Sequence, residues 1–231
     1  MNPAKNKLLS IVIPVFNEEK TVASVIARAL RADTGDYQKE IIVVDDGSTD
    51  GTRKIISELG IPLRYLSHER NLGKGRAVRT GIGHSSGDLV IIQDADLEYP
   101  PSNMSRLLDT LEGDRGAAAV YGSRNLKPRK RGYKPYILGV FVLTSGVNLR
   151  FGTQLTDVYT CHKLFRRESL QNLDLKSDGF EIEMELTAKL LKNGSVIREI
   201  PIDYEPRTFA EGKKIRWWDG LRGALTLIRN L

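Results

Sequence analysis

Three acidic side chains follow a short apolar run in the segment "VIIQDADLEYPP", residues 90–101. The run "VII" predicts the end of a buried strand, and Asp94, Asp96 and Glu98 follow it at alternate positions. On an extended chain, alternate side chains point the same way. Carboxylates so oriented repel one another unless a cation lies among them, and their oxygens suit Mg²⁺ or Mn²⁺. The spacing therefore predicts half of a metal site, which a substrate diphosphate would complete.

Polar residues also follow three other apolar runs in the first half of the chain. "NEE" follows the first run, "DDGSTDG" the second and "GSR" the last. "DDGSTDG" is typical of a turn, because Asp, Gly, Ser and Thr are turn formers. Its adjacent acids, Asp45 and Asp46, are equally well placed to accept hydrogen bonds from a nucleotide base or a ribose. Both interpretations stay open.

The glycine-rich stretch "NLGKG", residues 71–75, matches neither a P-loop nor a complete dinucleotide-binding fingerprint. Lys74 and the N-terminus of the helix that follows can still meet an anion. The stretch therefore favours a bound anion without naming a cofactor.

Short apolar runs alternate with helical patterns through the first half. "LLSIVIPVF", "EIIVVDD", "PLRYLSH", "DLVIIQD" and "AAAVYGS" predict strands, and helical spacing is found between them. Strands that are apolar on both faces and separated by helices predict a Rossmann-like α/β fold, in which helices cover both faces of a mainly parallel sheet. Ligands of such sheets bind beyond the carboxyl ends of the strands. We therefore expect the four polar clusters to form one site.

The composition is that of an ordinary globular protein of 231 residues, 40% hydrophobic and 28% charged. The net charge of +6 favours anionic partners, and "KPRKRGYK" concentrates five basic residues. The single cysteine, Cys161, excludes an internal disulfide framework and fits a reducing compartment. The N-terminal residues resemble a signal peptide only as far as Pro14, so a first strand is the better interpretation.

The second half has a less regular pattern. The apolar segment "YILGVFVLTSGV" is shorter than the roughly 18 residues that a membrane span needs, and we interpret it as core or interfacial. The acids of "FEIEMELT" are predicted to open a helix, whose N-terminus favours negative charge. The predicted C-terminal amphipathic helix has an apolar stripe, which suits a membrane interface or packing on the core equally well. The stripe is Ile215, Trp218, Leu221, Leu225 and Ile228.

Six segments resemble, in order and spacing, family 2 glycosyltransferases of the GT-A fold. They are "IVIPVFNEE", "IIVVDDGSTDGT", "ERNLGKGRAVRTGI", "IIQDADLEYPP", "VYGSRN" and "TDVYTCHKLFRRE". The chain looks most like the polyprenyl-phosphate or dolichyl-phosphate type, such as dolichol-phosphate mannose synthases. We expect one catalytic domain over residues 1–231. Its nucleotide-sugar half would span about 8–125, its acceptor half about 126–212 and its amphipathic tail about 213–231.

The resemblance implies roles at the nucleotide end of the site. Asp94 and Asp96 would be the DxD pair and would bind the Mg²⁺ or Mn²⁺ ion together with Glu98, which stands where such enzymes often have Gln. The nucleotide-sugar-binding residues implied are Pro14, Asn17, Glu18, Asp45, Asp46, Arg70, Lys74, Asp94, Ala95 and Asp96.

The resemblance also implies an acceptor end. Asp96, Asp157 and Arg124 are the expected catalytic residues, and Asp157 would either orient the acceptor or act as a base toward a hydroxyl. A phosphate acceptor needs no base, because the second pKa of a phosphate monoester is about 6. The expected acceptor-phosphate residues are Ser123, Arg124, Arg131, Lys134, Arg207 and Lys213.

These expectations together predict an inverting, metal-dependent glycosyltransferase. It would move a hexose or N-acetylhexosamine from UDP-glucose, UDP-N-acetylglucosamine or GDP-mannose to a polyprenyl or dolichyl phosphate. We expect peripheral attachment to the cytoplasmic face of a membrane, a possible separate membrane-spanning partner and no nucleic acid. One alternative is a family 2 enzyme that acts on a sugar hydroxyl of a glycan. Another is a non-catalytic module that binds nucleotide or nucleic acid, suggested by the basic charge.

Overall fold

A seven-stranded sheet runs through the part of the chain that the computed structural model describes, residues 7–127, 134–207 and 217–230. Its strands are β1 (Leu8–Val15), β2 (Gln38–Asp45), β3 (Arg64–Ser67), β4 (Leu89–Ile92), β5 (Ala117–Ser123), β6 (Lys163–Arg166) and β7 (Val196–Pro201). The helices are α1 (Val22–Arg31), α2 (Thr52–Glu58), α3 (Lys74–Gly83), α4 (Met104–Gly113), α5 (Lys134–Phe151), α6 (Arg167–Leu170), α7 (Ile182–Lys192) and α8 (Trp217–Arg229).

The strand order is β3-β2-β1-β4-β6-β5-β7. Only the pairings of β6, with β4 and with β5, are antiparallel among the described strands. The prediction of a mainly parallel sheet is therefore confirmed. The antiparallel β6 comes from "TDVYTCHKLFRRE", which the sequence did not mark as a strand.

The sheet is buried on both faces because β1 and β4 are almost entirely apolar. Ile11 and Ile13 of β1 pack in the cluster that holds residues of α1 and α4. Val12, between them, packs on the opposite side with residues of α3 and α7. Alternate side chains of a strand point to opposite faces, so one apolar run supplies both cores.

Helices α5 and α8 contact each other and build a third cluster against α7. Val140, Val147 and Leu227 are buried there. Gly223 of α8 lies so close to Tyr159 that a Cβ on it would be 1.6 Å from the phenol oxygen. A helix can approach this closely only where it carries glycine. The predicted C-terminal helix is thus confirmed, although the boundaries proposed for the functional parts of the chain stay a prediction.

The apolar stripe of α8 faces outward. Leu221, Leu225 and Ile228 are exposed, whereas Leu227 is buried. Packing of the stripe on the core, one of the two interpretations, is therefore wrong for these three residues; Ile215 and the side chain of Trp218 lie outside the described part. Among the described residues, no helix combines the length and the apolar character that crossing a membrane requires.

Gly81 offers a test of how tightly α3 packs on the sheet. A Cβ at Gly81 would lie 2.3 Å from Val12 Cγ1, and the stiff, fully buried valine cannot move away easily. We expect Gly81→Ala to lower the free energy of unfolding by about 1–3 kcal/mol, as overpacking does. Chemical denaturation measures the change.

Gly83→Ala, in the same helix, is the control, because nothing lies within 4 Å of its Cβ position. It should leave stability unchanged or raise it by up to about 1 kcal/mol. Equal effects of the two substitutions would contradict the packing argument.

Candidate active site

A cleft of about 680 Å³ lies at the carboxyl edge of the sheet. It is lined by Glu18 after β1, Asp46 after β2, Asp94 and Asp96 after β4, and Arg124 after β5. The four polar clusters therefore meet in one place, because the carboxyl ends of these parallel strands share an edge. The other lining residues are Pro14, Val15, Phe16, Asn71, Gly73, Lys74, Ala77, Ala95, Glu98, Tyr99, Tyr159, Cys161, Gly179, Phe180, Glu183, Tyr204, Arg207 and Arg222.

The three acids after β4 do not lie on an extended chain, contrary to the expectation from their alternation. The strand ends at Ile92, and the chain turns through Leu97, which has a φ of 65°. Asp94 and Asp96 consequently face different cations. Glu98 accepts hydrogen bonds of 2.7 Å from the Tyr204 hydroxyl and from the backbone N–H of residue 207. The turn therefore gives each carboxylate its own partner.

Asp96 is the acid whose ionisation the surroundings oppose most clearly. Burial, followed by the negative charges of Asp94 and Glu98, raises the pKa of Asp96 to about 7. A cation beside these carboxylates would relieve the repulsion. Among the described residues, no three carboxylate, imidazole or thiol groups form a metal cage. The donor set instead fits a Mg²⁺-like ion that is held by one or two carboxylates and shares substrate phosphates.

Arg207 links Glu18, which follows β1, to Asp96, which follows β4. Its guanidinium donates to both carboxylate oxygens of Glu18, at 3.0 and 2.9 Å, and to Asp96 at 3.1 Å. Such bidentate, charge-assisted pairs hold a side chain in one orientation. The structure thus places Arg207 among the acids implied for the nucleotide sugar, although the sequence assigned it to the acceptor phosphate.

Lys74 occupies the floor of the cleft between two carboxylates. Its ammonium lies 2.7 Å from Asp94 and 3.4 Å from Glu183. Burial alone would raise the pKa of Asp94, but the charge and hydrogen bond of Lys74 hold that pKa below its usual value. Behind them, Lys163 is fully buried and lies 2.6 Å from the other oxygen of Glu183. The floor is therefore a row of alternating charges.

Asp46 organises the loop that carries Lys74. Its carboxylate accepts hydrogen bonds from the N–H groups of Leu72 and Gly73, at 3.0 and 2.7 Å, and lies 2.7 Å from His68 Nδ1. Gly73 has a φ of 102°, which favours glycine. No role was predicted for His68, yet its other ring nitrogen lies 3.1 Å from the Thr80 hydroxyl. Asp46 thus holds this loop while it lines the cleft.

Three residues implied for the nucleotide sugar do not line the cleft. Asp45 is buried and accepts hydrogen bonds from Tyr65 and the N–H of Ser48. Asn17 accepts one from the N–H of Thr49. Arg70 is exposed. Their roles at the nucleotide stay predictions, and the first two residues order the turns beside the cleft.

Arg124 and Asp157 form a buried, bidentate ion pair at the other end of the cleft. Two nitrogens of Arg124 each donate to Asp157 at 2.7 Å, and Asp157 is fully buried. Arg124 lines the cleft and lies over the Tyr204 ring at 5.3 Å. Asp157 does not line the cleft, so the geometry favours orientation of Arg124 over direct action as a base.

The other residues expected at the acceptor phosphate either do not line the cleft or have side chains outside the described part of the chain. Ser123 is fully buried, with its hydroxyl 2.6 Å from that of Thr156, and it does not line the cleft. Lys134 begins α5, but its side chain lies outside the described part, as do Arg131 and Lys213. These assignments stay predictions.

The sequence did not point to Glu183 or Arg222 as cleft residues, or to Lys163 as the buried partner of Glu183. Glu183 lies in the first turn of α7, as was predicted for the acids of this segment. It also forms an ion pair with the fully buried Lys163 behind it, which was not predicted. A lysine directly before the apolar pair Leu164 and Phe165 was the available signal, because buried lysines need a partner. Arg222 reaches the cleft from α8, which no local pattern could reveal.

Comparison with known proteins decides the family. Residues 10–174 match the family model described as glycosyl transferase family 2. The chain belongs to glycosyl transferase family 2. The resemblance seen in its motifs is thereby confirmed, and so is the interpretation of the protein as a glycosyltransferase.

Two relatives of this family 2 glycosyltransferase carry informative names. The polyprenol monophosphomannose synthase of Mycolicibacterium smegmatis is 30% identical over 244 residues, which cover 96% of this chain and 90% of the relative. The dolichol-phosphate mannosyltransferase of Pyrococcus furiosus is 28% identical over 211 residues, which cover 89% of this chain and 58% of the relative.

A solved structure confirms the fold of the family 2 glycosyltransferase. It is that of glucosyl-3-phosphoglycerate synthase from Mycobacterium tuberculosis with Mn²⁺, UDP and phosphoglyceric acid. Its TM-score is 0.76 at 24% identity, over 97% of this chain and 78% of the other. The predicted GT-A fold is therefore observed.

The Arg124–Asp157 pair allows a test of whether Asp157 is a structural partner. Asp157→Asn removes the counter-charge of a buried guanidinium, and we expect it to lower the free energy of unfolding by about 3–5 kcal/mol. The double variant Asp157→Asn/Arg124→Gln removes both charges and should lose clearly less.

Urea denaturation of Asp157→Asn, Arg124→Gln, the double variant and the wild type measures the difference. If the double variant loses as much as the sum of the single substitutions, the two side chains do not depend on each other, and the assignment fails.

Proposed function

We propose that this family 2 glycosyltransferase moves a hexose or N-acetylhexosamine from a nucleoside-diphosphate sugar to a polyprenyl or dolichyl phosphate, with inversion. UDP-glucose, UDP-N-acetylglucosamine and GDP-mannose are the donors to test. The named relatives support the acceptor class. The observation that carries the proposal is the position of α8: Arg222 lines the cleft, and Leu221 and Leu225 of the same helix are exposed beside it.

That arrangement suits a lipid phosphate. Arg124 and Arg222 supply two cations at the acceptor end of the cleft, and guanidinium groups match phosphate oxygens well. The lipid chain would lie along the apolar surface formed by the exposed side chains of α5 and α8. These are Leu138, Phe141, Val142, Leu149, Leu221, Leu225 and Ile228. We call this set the apolar face.

The acceptor phosphate would attack the anomeric carbon directly. A phosphate monoester is mostly ionised near neutral pH, so it needs orientation more than a base. Asp157 serves this purpose by holding Arg124. A glycan hydroxyl would instead need a base, and the carboxylate expected for that role is fully buried against Arg124. The geometry therefore favours the phosphate acceptor.

The departing diphosphate would be stabilised by charge at the donor end. Lys74 and Arg207 line this part of the cleft and can exchange their carboxylate partners for phosphate oxygens. Asp96, with Asp94 and Glu98 beside it, would hold a Mg²⁺ or Mn²⁺ ion, which would neutralise the diphosphate as a Lewis acid. The M. tuberculosis enzyme with the same fold was solved with Mn²⁺ and UDP, which supports this cofactor.

We further propose that the apolar face attaches the protein peripherally to the cytoplasmic face of a membrane. Arg229, exposed next to Ile228 on α8, would meet anionic headgroups. A separate membrane-spanning partner is compatible with this arrangement.

Transfer of radiolabel from each donor to organic-extractable polyprenyl phosphate, with Mn²⁺ or Mg²⁺ present, tests the reaction. We expect label from one donor in the organic phase. Asp96→Ala should reduce transfer at least about 100-fold, because the charge that organises the leaving group is lost.

Asp109→Ala, at an exposed position of α4, is the control and should retain transfer. If the wild type binds a donor with metal but delivers no label to lipid, the lipid acceptor is wrong and glycan hydroxyls come next.

Sedimentation with vesicles of phosphatidylcholine and phosphatidylserine tests membrane attachment. Phe141→Ser/Ile228→Ser should weaken binding at least about 10-fold, because each apolar side chain contributes about 1.5–3 kcal/mol when fully buried. Val196→Ser removes an exposed apolar residue of β7 and should bind as the wild type does. Equal binding of all three proteins would contradict attachment through the apolar face.

A further inference from the structure

The two carboxylate oxygens of Glu183 have different surroundings. Oε2 lies 2.6 Å from the ammonium of Lys163, which is fully buried and also donates to the carbonyl oxygens of Val158 and Glu183. Oε1 is buried and accepts no hydrogen bond from the described residues. The nearest cation to Oε1 is Lys74, whose ammonium is 3.4 Å away. One oxygen is therefore fixed, and the other is held without a hydrogen-bond donor.

A buried carboxylate oxygen that accepts no hydrogen bond is unfavourable even with the Lys74 ammonium 3.4 Å away, because its lone pairs have lost water without gaining a donor. Native proteins have few such groups, so each needs a reason. Glu183 lines the cleft together with Lys74, Asp94 and Phe180. A ligand in the cleft can therefore supply the donor that the protein does not.

The chemistry of this part of the cleft selects the kind of donor. An ionised phosphate group offers acceptor oxygens and no donor, so it cannot satisfy Glu183 Oε1. A hydroxyl group is neutral, and it can donate to Glu183 Oε1 while its oxygen accepts from Lys74, 3.4 Å from that carboxylate. A nucleotide sugar carries such hydroxyls on its ribose and on the transferred sugar.

We propose that Glu183 is a specificity-determining residue that accepts a hydrogen bond from a sugar hydroxyl of the donor. The inference rests on the proposed function and adds a named contact to it. Lys163 is the positioning residue: it pairs with Oε2 and leaves Oε1, on a residue that lines the cleft, as the oxygen without a hydrogen-bond donor. The transferred sugar and the ribose share this chemistry, and the experiment separates them.

Calorimetric titration with Mn²⁺ present measures the contact. The probes are UDP-glucose and GDP-mannose, each compared with its free nucleoside diphosphate. We expect Glu183→Gln to weaken binding of the nucleotide sugar at least about 10-fold, as loss of a hydrogen bond to a charged group does. If the nucleoside diphosphate alone binds as tightly as to the wild type, the hydroxyl belongs to the transferred sugar. If its binding weakens equally, the hydroxyl belongs to the ribose.

A second variant covers the case in which Glu183→Gln fails to fold because Lys163 is left unpaired. Lys163→Met/Glu183→Leu replaces the buried ion pair by apolar side chains of similar size, which is often tolerated. It should show the same loss of affinity. Glu185→Gln is the matched control, since Glu185 lies in the same helix but binds the N–H groups of Lys176 and Ser177. It should bind donors as the wild type does.

Deoxy analogues of the donor identify the hydroxyl. The analogue that lacks the contacting hydroxyl should bind the wild type at least about 10-fold more weakly and should lose little more with Glu183→Gln. Wild-type affinity for the donor in both Glu183 variants would overturn the inference and leave the proposed function intact. A wild-type protein that binds neither nucleotide sugar would instead overturn the proposed function and this inference with it.

Discussion

Carboxylates that are buried or nearly buried surround the cleft, and basic side chains from other parts of the chain neutralise them. The pairs are Glu18 with Arg207, Asp94 with Lys74, Asp157 with Arg124 and Glu183 with Lys163. A single unpaired charge at such depth would destabilise the fold by several kcal/mol. Each pair joins side chains that are at least 20 residues apart along the chain. The cleft is therefore complete only when these segments have come together in the folded sheet.

This balance also limits what the cleft can bind. Lys74 and Arg207, which face the donor end, are already paired with carboxylates, and a diphosphate would bring further negative charge. Either the two cations exchange partners or an additional cation enters. The pKa of Asp96, raised to about 7 by burial and by its acidic neighbours, marks the point where positive charge is still insufficient. The charge balance around Asp96 therefore supports the proposed divalent ion independently of the DxD motif.

The sequence was sufficient for strands β1 to β5 and for the edge at which the cleft lies, because apolar runs and the polar residues that follow them are local signals. It did not reveal the antiparallel strand β6. It was insufficient for the orientation of the acids after β4. Their alternation implies a common direction only on an extended chain, and Leu97 bends that chain with a positive φ. Partners such as Lys163 for Glu183, or Arg124 for Asp157, depend on which strands become neighbours. No spacing within one segment carries that information.

Helix α8 shows how a single element can link the cleft to a surface. Consecutive helical residues are rotated by about 100°, so Leu221, Arg222 and Gly223 must point in three directions. The leucine is exposed, the arginine lines the cleft, and the glycine lies against Tyr159, another cleft residue. Because glycine allows this close approach, the helix axis lies near enough for Arg222 to reach the site. The same rotation then turns the apolar stripe away from the core, beside the exposed side chains of α5. The proposed attachment at that surface and the proposed chemistry in the cleft would therefore both depend on the position of this one helix.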